Sequence, residues 1–103
     1  MGIMVMSYEI HIKKQVDKFL VKLAKSAPRE FDKIDYFINN VLSVNDNPCL
    51  LPNAKHLQGF SDNRYRWRIG EYRIIGIVKN GAFNIIEVVK IAKKDDTTYK
   101  GQK

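Results

Sequence analysis

Hydrophobic and polar positions follow two different periods in the first half of the chain. Residues 8–12 alternate apolar and polar side chains, which predicts a short, half-buried first strand. In residues 13–25 the apolar side chains recur every three or four positions, as on one face of an amphipathic helix. A second helix is predicted to follow, with Ser26 as its cap, Pro28 in its first turn and an apolar stripe that runs from Phe31 to Leu42. The two helices should form a hairpin.

A period of two dominates the second half of the chain and points to a β-hairpin. Gly70 and Glu71 have the composition of a two-residue turn with glycine at the first position. Such a turn places three pairs of residues opposite each other: Ile69 and Tyr72, Arg68 and Arg73, Trp67 and Ile74.

That register sorts the side chains of the hairpin onto two faces of a sheet. One face receives the apolar and aromatic residues Tyr65, Trp67, Ile69, Tyr72 and Ile74. The other face receives the arginines Arg64, Arg66, Arg68 and Arg73. Like charges opposite each other repel by a few tenths to about 1 kcal/mol per pair, and the phosphates of a polyanion would offset this cost. A basic face that only contacts solvent is the alternative.

The remaining strands complete the predicted architecture. Residues 72–78 predict a central strand, and the Asn-Gly pair within residues 79–82 predicts a tight reversal into a last strand over residues 83–91. That strand is apolar on both faces, which is expected if helices cover one side and more protein covers the other. The order β-α-α-β-β-β predicts an α+β fold, with a helical hairpin packed on a small, mostly antiparallel sheet.

We expect a single domain over residues 1–103, with residues 1–6 as a short leader and residues 93–103 as a polar tail. The formal net charge of +7 favours an acidic partner. Cys49 is the one cysteine, so an internal disulfide is excluded, and the sequence shows no signal peptide; we expect a cytoplasmic protein. One cysteine and two distant histidines have no zinc spacing, and no loop resembles a nucleotide cradle, so we expect no metal and no other cofactor.

Two segments resemble the RelE/ParE superfamily of toxins from toxin–antitoxin pairs. They are the Lys-His-Leu-Gln-Gly loop at residues 55–59 and the run Tyr-Arg-Trp-Arg-Ile-Gly-Glu-Tyr-Arg at residues 65–73. Members commonly share a Leu-x-Gly loop, a basic strand, a Gly-x-Tyr-Arg turn and a late basic cluster followed by tyrosine. The order of elements also resembles theirs over nearly the whole chain. In the RelE-like branch the resemblance implies entry into the ribosomal A site and cleavage of messenger RNA, whereas the ParE-like branch inhibits DNA gyrase.

RNA cleavage of this kind uses the 2′-hydroxyl of the substrate to attack the adjacent phosphate, and it needs no metal. The protein accepts the proton of the 2′-hydroxyl, stabilises the extra negative charge on the phosphorane and protonates the leaving 5′-oxygen. The catalytic residues that the resemblance implies are Arg66, Arg68, Arg73, Lys93, Lys94 and Tyr99. Three further residues are candidate RNA contacts: Arg64, Lys55 and His56.

The resemblance also implies a role for each catalytic candidate. Arg73 is assigned to the charge of the transition state, and Tyr99 stacks on or orients the target nucleotide. Arg66 and Arg68 stand where well-known relatives have lysines; a guanidinium keeps its proton, so it holds phosphate without acting as a base. One of Lys93 and Lys94 is the better proton carrier, because neighbouring positive charges favour a neutral lysine, and His56 is the other candidate.

The sequence therefore predicts a toxin endoribonuclease, an mRNA interferase that acts at the ribosome and inhibits translation. Its partner should be a cognate antitoxin with an acidic segment over the arginine face. We expect no membrane partner, and DNA contact only indirectly, through the antitoxin. Two alternatives remain: a ParE-like inhibitor of DNA gyrase with no catalytic residues, and a non-toxic relative that only binds its antitoxin.

Overall fold

Residues 7–93 are described by the computed structural model, and they form two helices on a five-stranded sheet. The helices are α1 (Lys14–Ser26) and α2 (Pro28–Phe37), and one π-helical turn (Ile38–Leu42) continues α2. The strands are β1 (Glu9–Ile12), β2 (Ala54–His56), β3 (Arg64–Ile69), β4 (Tyr72–Asn80) and β5 (Asn84–Lys93). The predicted leader, and the predicted tail beyond Lys93, lie outside the described residues.

The sheet has the strand order β1-β5-β4-β3-β2. Every neighbouring pair is antiparallel except β1 and β5, which run parallel. This confirms the predicted α+β fold with a mostly antiparallel sheet. Strand β2 was missed because its three residues are too few to show a period of two; it forms by pairing with β3 at the edge of the sheet. Within residues 7–93, neither helix has the length and apolar composition that crossing a bilayer requires.

The junction between the helices differs from the prediction. Ser26 does not cap α2; it is the last residue of α1, and its hydroxyl donates to the Lys22 carbonyl at 3.1 Å. The Ala27 N–H donates to the Leu23 carbonyl and closes α1, and Pro28 then begins α2 directly. Only Ala27 separates the two helices, so Ser26 still belongs to α1 and cannot cap α2.

The helices cover the face of the sheet that the hairpin register assigned to apolar residues. Trp67 and Ile74, which lie opposite each other on β3 and β4, are fully buried. The Trp67 indole N–H donates to the Pro48 carbonyl at 3.0 Å, so its one polar group is satisfied inside the core. The other main core residues are Ile34, Phe37, Ile38, Leu42, Ile86 and Val88.

A β-bulge explains why the last strand looks apolar on both faces. Ile75 pairs with Lys90 and Gly76 pairs with Val88, which leaves Val89 as an extra residue in β5. The bulge shifts the alternation, so that Ile91 faces the core together with Val88 despite their odd spacing. The continuous apolar run in the sequence therefore results from the bulge, which changes which residues of β5 face the core. Side chains on the other face, including Ile75, stay partly exposed.

The turn between β4 and β5 also differs from the prediction. Asn80 pairs with Asn84, so residues 81–83 form a three-residue loop, and Gly81 does not take the positive φ of a tight Asn-Gly turn. The Asn80 amide donates to the Tyr8 hydroxyl at 2.8 Å and to the Asn84 side-chain oxygen at 3.1 Å. These contacts hold Asn80 within β4.

Candidate nucleic-acid interface

The hairpin of β3 and β4 has the predicted register. Ile69 pairs with Tyr72, Arg68 with Arg73, and Trp67 with Ile74. Gly70 has a φ of 57°, and no non-glycine residue among residues 7–93 has a positive φ. Glycine first and a negative φ second is the pattern of a type II′ turn, which matches the twist of the flanking strands.

Arg68 and Arg73 form a close pair beside this turn. The Arg68 N–H donates to the Asn53 carbonyl at 3.1 Å, and the Asn53 amide donates to the Arg68 carbonyl at 2.9 Å. Both backbone groups of Arg68 therefore point away from β4, so its pair with Arg73 is of the non-hydrogen-bonded kind, with Cα atoms about 4.5 Å apart. The two side chains leave the same face of the sheet from adjacent positions.

A second row across the same face of the sheet consists of three cations and Ile75. Lys55 pairs with Arg66, Arg66 with Ile75, and Ile75 with Lys90, so all four side chains share one side of the sheet. With neighbouring strands about 4.8 Å apart, this row spans about 14 Å. Lys90 was not among the predicted site residues. Its place on this face depends on the bulge at Val89, and no feature of the sequence marks that bulge.

We call the five cations of these two rows the basic cluster: Lys55, Arg66, Arg68, Arg73 and Lys90. A shallow groove of about 540 Å³ opens beside it, between β2 and β3. Its lining residues are Pro52, Asn53, Ala54, Lys55, Arg66 and Arg68. Arg66 is half-buried in this groove and donates to the Asn53 carbonyl at 3.4 Å, whereas Arg68 is exposed. The groove is therefore lined by backbone and by positively charged donors.

Arg64 lies on the same face but has a different environment. Its Nε and Nη2 donate to the two carboxylate oxygens of Asp62 at 3.0 and 2.8 Å. This hydrogen bonding lowers the pKa of Asp62 and raises the pKa of Arg64. The Arg64 guanidinium also lies 4.3 Å from the centroid of the Phe60 ring. A carboxylate balances the charge of Arg64, so the predicted row of four arginines is divided.

The far end of this face carries charges of both signs. Lys79 lies 3.4 Å from the Glu87 carboxylate, and His11 lies 3.2 Å from that of Glu9. Positive charge is therefore concentrated near the Gly70 turn and the β2 edge. In residues 7–93, no group of three His, Cys, Asp or Glu side chains is arranged to hold a metal ion.

Comparison with known proteins places this chain in a family. Scans against models of protein families and against curated protein sequences found no match. Among solved structures, a chain of the archaeal RelE–RelB complex from Pyrococcus horikoshii OT3 is similar, with 30% sequence identity and a TM-score of 0.68. The match covers 87% of this chain and 98% of that one. The chain belongs to the RelE-like toxin superfamily.

A second solved structure shows the same RelE-like fold. A chain of the toxin–antitoxin complex RelBE2 from Mycobacterium tuberculosis has a TM-score of 0.68 at 18% identity, over 89% of this chain and 97% of that one. These matches confirm the superfamily that residues 55–59 and 65–73 indicated.

The RelE-like chain does not bring every predicted site residue to the basic cluster. His56 pairs with Tyr65, on the side of the sheet opposite Lys55, and the two rings meet edge to face with centroids 5.0 Å apart. Lys93 pairs with Tyr72, so the register directs it to the helix-covered side and away from Arg73. Two other catalytic candidates, Lys94 and Tyr99, lie outside the described residues.

Cys49 has a structural place in this RelE-like chain. Burial raises the pKa of its half-buried thiol, while a hydrogen bond with Tyr65 acts in the opposite direction. Tyr65 in turn stacks against Trp67, with ring centroids 6.1 Å apart. The thiol packs beside Tyr65 and against the hydrophobic core.

Proposed function

We propose that this RelE-like chain is the toxin of a toxin–antitoxin pair, and that it is an endoribonuclease that cleaves messenger RNA at the ribosome. The observation that carries the proposal is the basic cluster, which gathers five cations on one open face of the sheet. Arginine presents a fork of donors that matches phosphate oxygens and keeps its charge at any working pH. Membership of the RelE-like superfamily favours RNA as the source of those phosphates.

In the proposed reaction, the 2′-oxygen of the substrate forms a bond to the adjacent phosphorus and the bond to the 5′-oxygen breaks. The products carry a 2′,3′-cyclic phosphate and a free 5′-hydroxyl. Arg68 and Arg73 are close enough to donate to the same phosphate, and they would stabilise the charge that develops on its oxygens. Arg66 and Lys55, in the next row, would hold a neighbouring phosphate.

The paired arginines cannot carry out the proton transfers, because a guanidinium does not give up its proton. Another group must accept the proton of the 2′-hydroxyl and protonate the leaving 5′-oxygen. We assign this task to a lysine at the end of β5 or just beyond it. The resemblance implies Lys93 and Lys94 as candidates, of which Lys93 is directed by the β5 register to the side of the sheet opposite Arg73. Lys90 is a third, supported by its register with Ile75 and Arg66 on the open face.

We also propose that a cognate antitoxin silences the chain by covering the basic cluster with an acidic segment. The matched chain from Pyrococcus horikoshii comes from a RelE–RelB complex, which supports a partner of this kind. Carboxylates over Arg68 and Arg73 would neutralise the same repulsion that phosphates neutralise. Antitoxin and RNA would therefore compete for one surface.

Mapping of RNA ends after brief induction of the chain in growing cells tests the proposal. Arg73→Ala removes one arginine of the cluster, and Arg29→Ala, at an exposed arginine in the first turn of α2, is the matched control. Cuts within translated codons that persist in Arg29→Ala and vanish in Arg73→Ala are expected. Intact messages together with inhibited gyrase supercoiling would instead indicate a gyrase poison. If neither changed, the basic cluster would serve only to bind the antitoxin.

A further inference from the structure

The loop between β2 and β3 holds an aromatic ring against the open face of the sheet. The guanidinium of Arg64 lies 4.3 Å from the centroid of the Phe60 ring, within the range of a cation–π contact. Phe60 nevertheless remains 49% exposed. Arg64 therefore covers one side of the ring, while about half of the surface of the residue stays open to solvent.

The loop is built to hold this arrangement. Gly59 has a φ of 89°, a conformation that favours glycine, and it turns the chain immediately before Phe60. The Leu57 N–H donates to the Arg64 carbonyl at 2.9 Å and closes the loop. Asp62 then fixes the guanidinium of Arg64 with two hydrogen bonds. Arg64 is thereby oriented toward the ring, with its charge balanced by a carboxylate.

This end of the face is therefore suited to a flat, uncharged group. The Asp62 carboxylate would repel a phosphate, whereas an exposed ring with a cation on its other side provides a surface for stacking. Arg64 is two residues from Arg66 on the same side of β3, a separation of about 7 Å along the strand. A base next to a phosphate held by Arg66 is within reach of Phe60.

We propose that Phe60, with Arg64 on one side of its ring, is a stacking platform for one nucleobase of a single-stranded RNA whose phosphates lie on the basic cluster. This inference rests on the proposed function. Phe60 acts by positioning the strand, and it distinguishes single-stranded from paired RNA, because only an unpaired base can be turned out to stack on a ring. Every base has a π-face, so the platform does not select sequence.

Tryptophan fluorescence reports this contact directly. Phe60→Trp keeps an aromatic ring over Arg64, and Tyr36→Trp places the same fluorophore on α2, where the native side chain is 63% exposed. The native Trp67 is fully buried and contributes the same background to both variants. The probe is a 2′-O-methyl oligoribonucleotide, which cannot be cleaved by 2′-hydroxyl attack. We expect it to quench the fluorescence of the Phe60→Trp variant but not that of the Tyr36→Trp variant, and an oligonucleotide of equal length with abasic sites to quench neither.

Affinity provides the second measurement. Phe60→Leu should weaken binding of the same oligonucleotide about 5- to 140-fold, the range that corresponds to the loss of one stacked base, while Tyr36→Leu should leave it unchanged. If the oligonucleotide binds but the Phe60→Trp variant is not quenched and Phe60→Leu binds as tightly as the wild type, the platform is wrong and the RNA interface stands. If the wild type shows no binding that Arg66→Gln weakens, the proposed RNA interface is overturned, and the platform with it.

Discussion

The indole of Trp67 lies directly against the backbone of Gly76. A Cβ atom added at Gly76 would be 3.2 Å from Cζ3 of Trp67, 2.9 Å from Cγ2 of Ile86 and 3.3 Å from the Glu87 carbonyl oxygen. Glycine at this position therefore makes room for the large ring that β3 directs into the core. The same alternation that buries Trp67 sends Arg66 and Arg68 to the opposite face, so core packing and the basic cluster depend on each other.

The first prediction concerns this contact. Gly76→Ala should lower the free energy of unfolding by about 1–3 kcal/mol, because the added methyl group overpacks a region bounded partly by backbone. Urea denaturation measures the change. Gly81→Ala is the matched control, since a Cβ atom there would meet nothing within 4 Å and the glycine has no positive φ. Equal effects of the two substitutions would contradict the packing argument.

The second prediction is that the basic cluster costs stability. Arg68→Gln removes one member of the close Arg68–Arg73 pair, and it should raise the free energy of unfolding by a few tenths to about 1 kcal/mol at low salt. Lys22→Gln makes the same change of charge at an exposed position of α1 and should have a smaller effect. The gain in Arg68→Gln should shrink as salt screens the repulsion. A lower free energy of unfolding for Arg68→Gln would mean that Arg68 and Arg73 do not repel each other.

The third prediction concerns pH and the Asp62–Arg64 ion pair. The pKa of Asp62 is lower in the folded chain than its ordinary value, so the unfolded chain takes up the proton first as the solution is acidified. The pair therefore stabilises the fold above the unfolded-state pKa of about 3.9, and this stabilisation is lost as the pH falls through the lower folded-state pKa. The free energies of unfolding of the wild type and of Asp62→Asn, measured from pH 6 to pH 3, should differ less as the pH falls. If the two free energies of unfolding differed more at low pH, the ion pair would not stabilise the fold in the predicted direction.

The fourth prediction separates two lysines of β5. The register places Lys90 on the face of Arg66 and directs Lys93 to the other side. Lys90→Gln should therefore reduce the salt dependence of oligonucleotide binding by about one phosphate contact, and Lys93→Gln should leave it unchanged. If Lys93 carries a proton in the reaction, its substitution should slow single-turnover cleavage at unchanged affinity. A reduced salt dependence in Lys93→Gln alone would contradict the register.

Much of the fold could be predicted because local chemistry determines it. The Gly70 turn and the alternation of residues 65–74 were enough to give the register of the hairpin and the faces of its arginines. Strand β2 was missed because it depends on pairing with β3 across the loop that separates them. The Asn-Gly signal at residue 80 failed because Tyr8, which is distant in sequence, accepts a hydrogen bond from the Asn80 side chain.

The candidate site was predicted less completely, for reasons of the same kind. A bulge decides which face Lys90 and Lys93 occupy, and no residue type marks it in advance. The pairing of Arg64 with Asp62 depends on how the loop folds back, which the charges alone do not show. The alternation of side chains along β2 decides which face of the sheet His56 occupies. That face could not be predicted, because β2 itself was not recognised.

End-group analysis in a purified translation reaction tests the central claim most directly. A defined messenger RNA would be translated with the wild-type chain, with Arg73→Ala and with Arg29→Ala, and the new RNA ends would be sequenced and examined for 2′,3′-cyclic phosphate and 5′-hydroxyl groups. We predict cleavage with these ends for the wild type and for Arg29→Ala, and a loss of at least about 100-fold in rate for Arg73→Ala, the effect of removing one preorganised donor to the transition state. Equal cleavage by all three chains, or ends of another chemistry, would contradict the assignment of the basic cluster to the reacting phosphate.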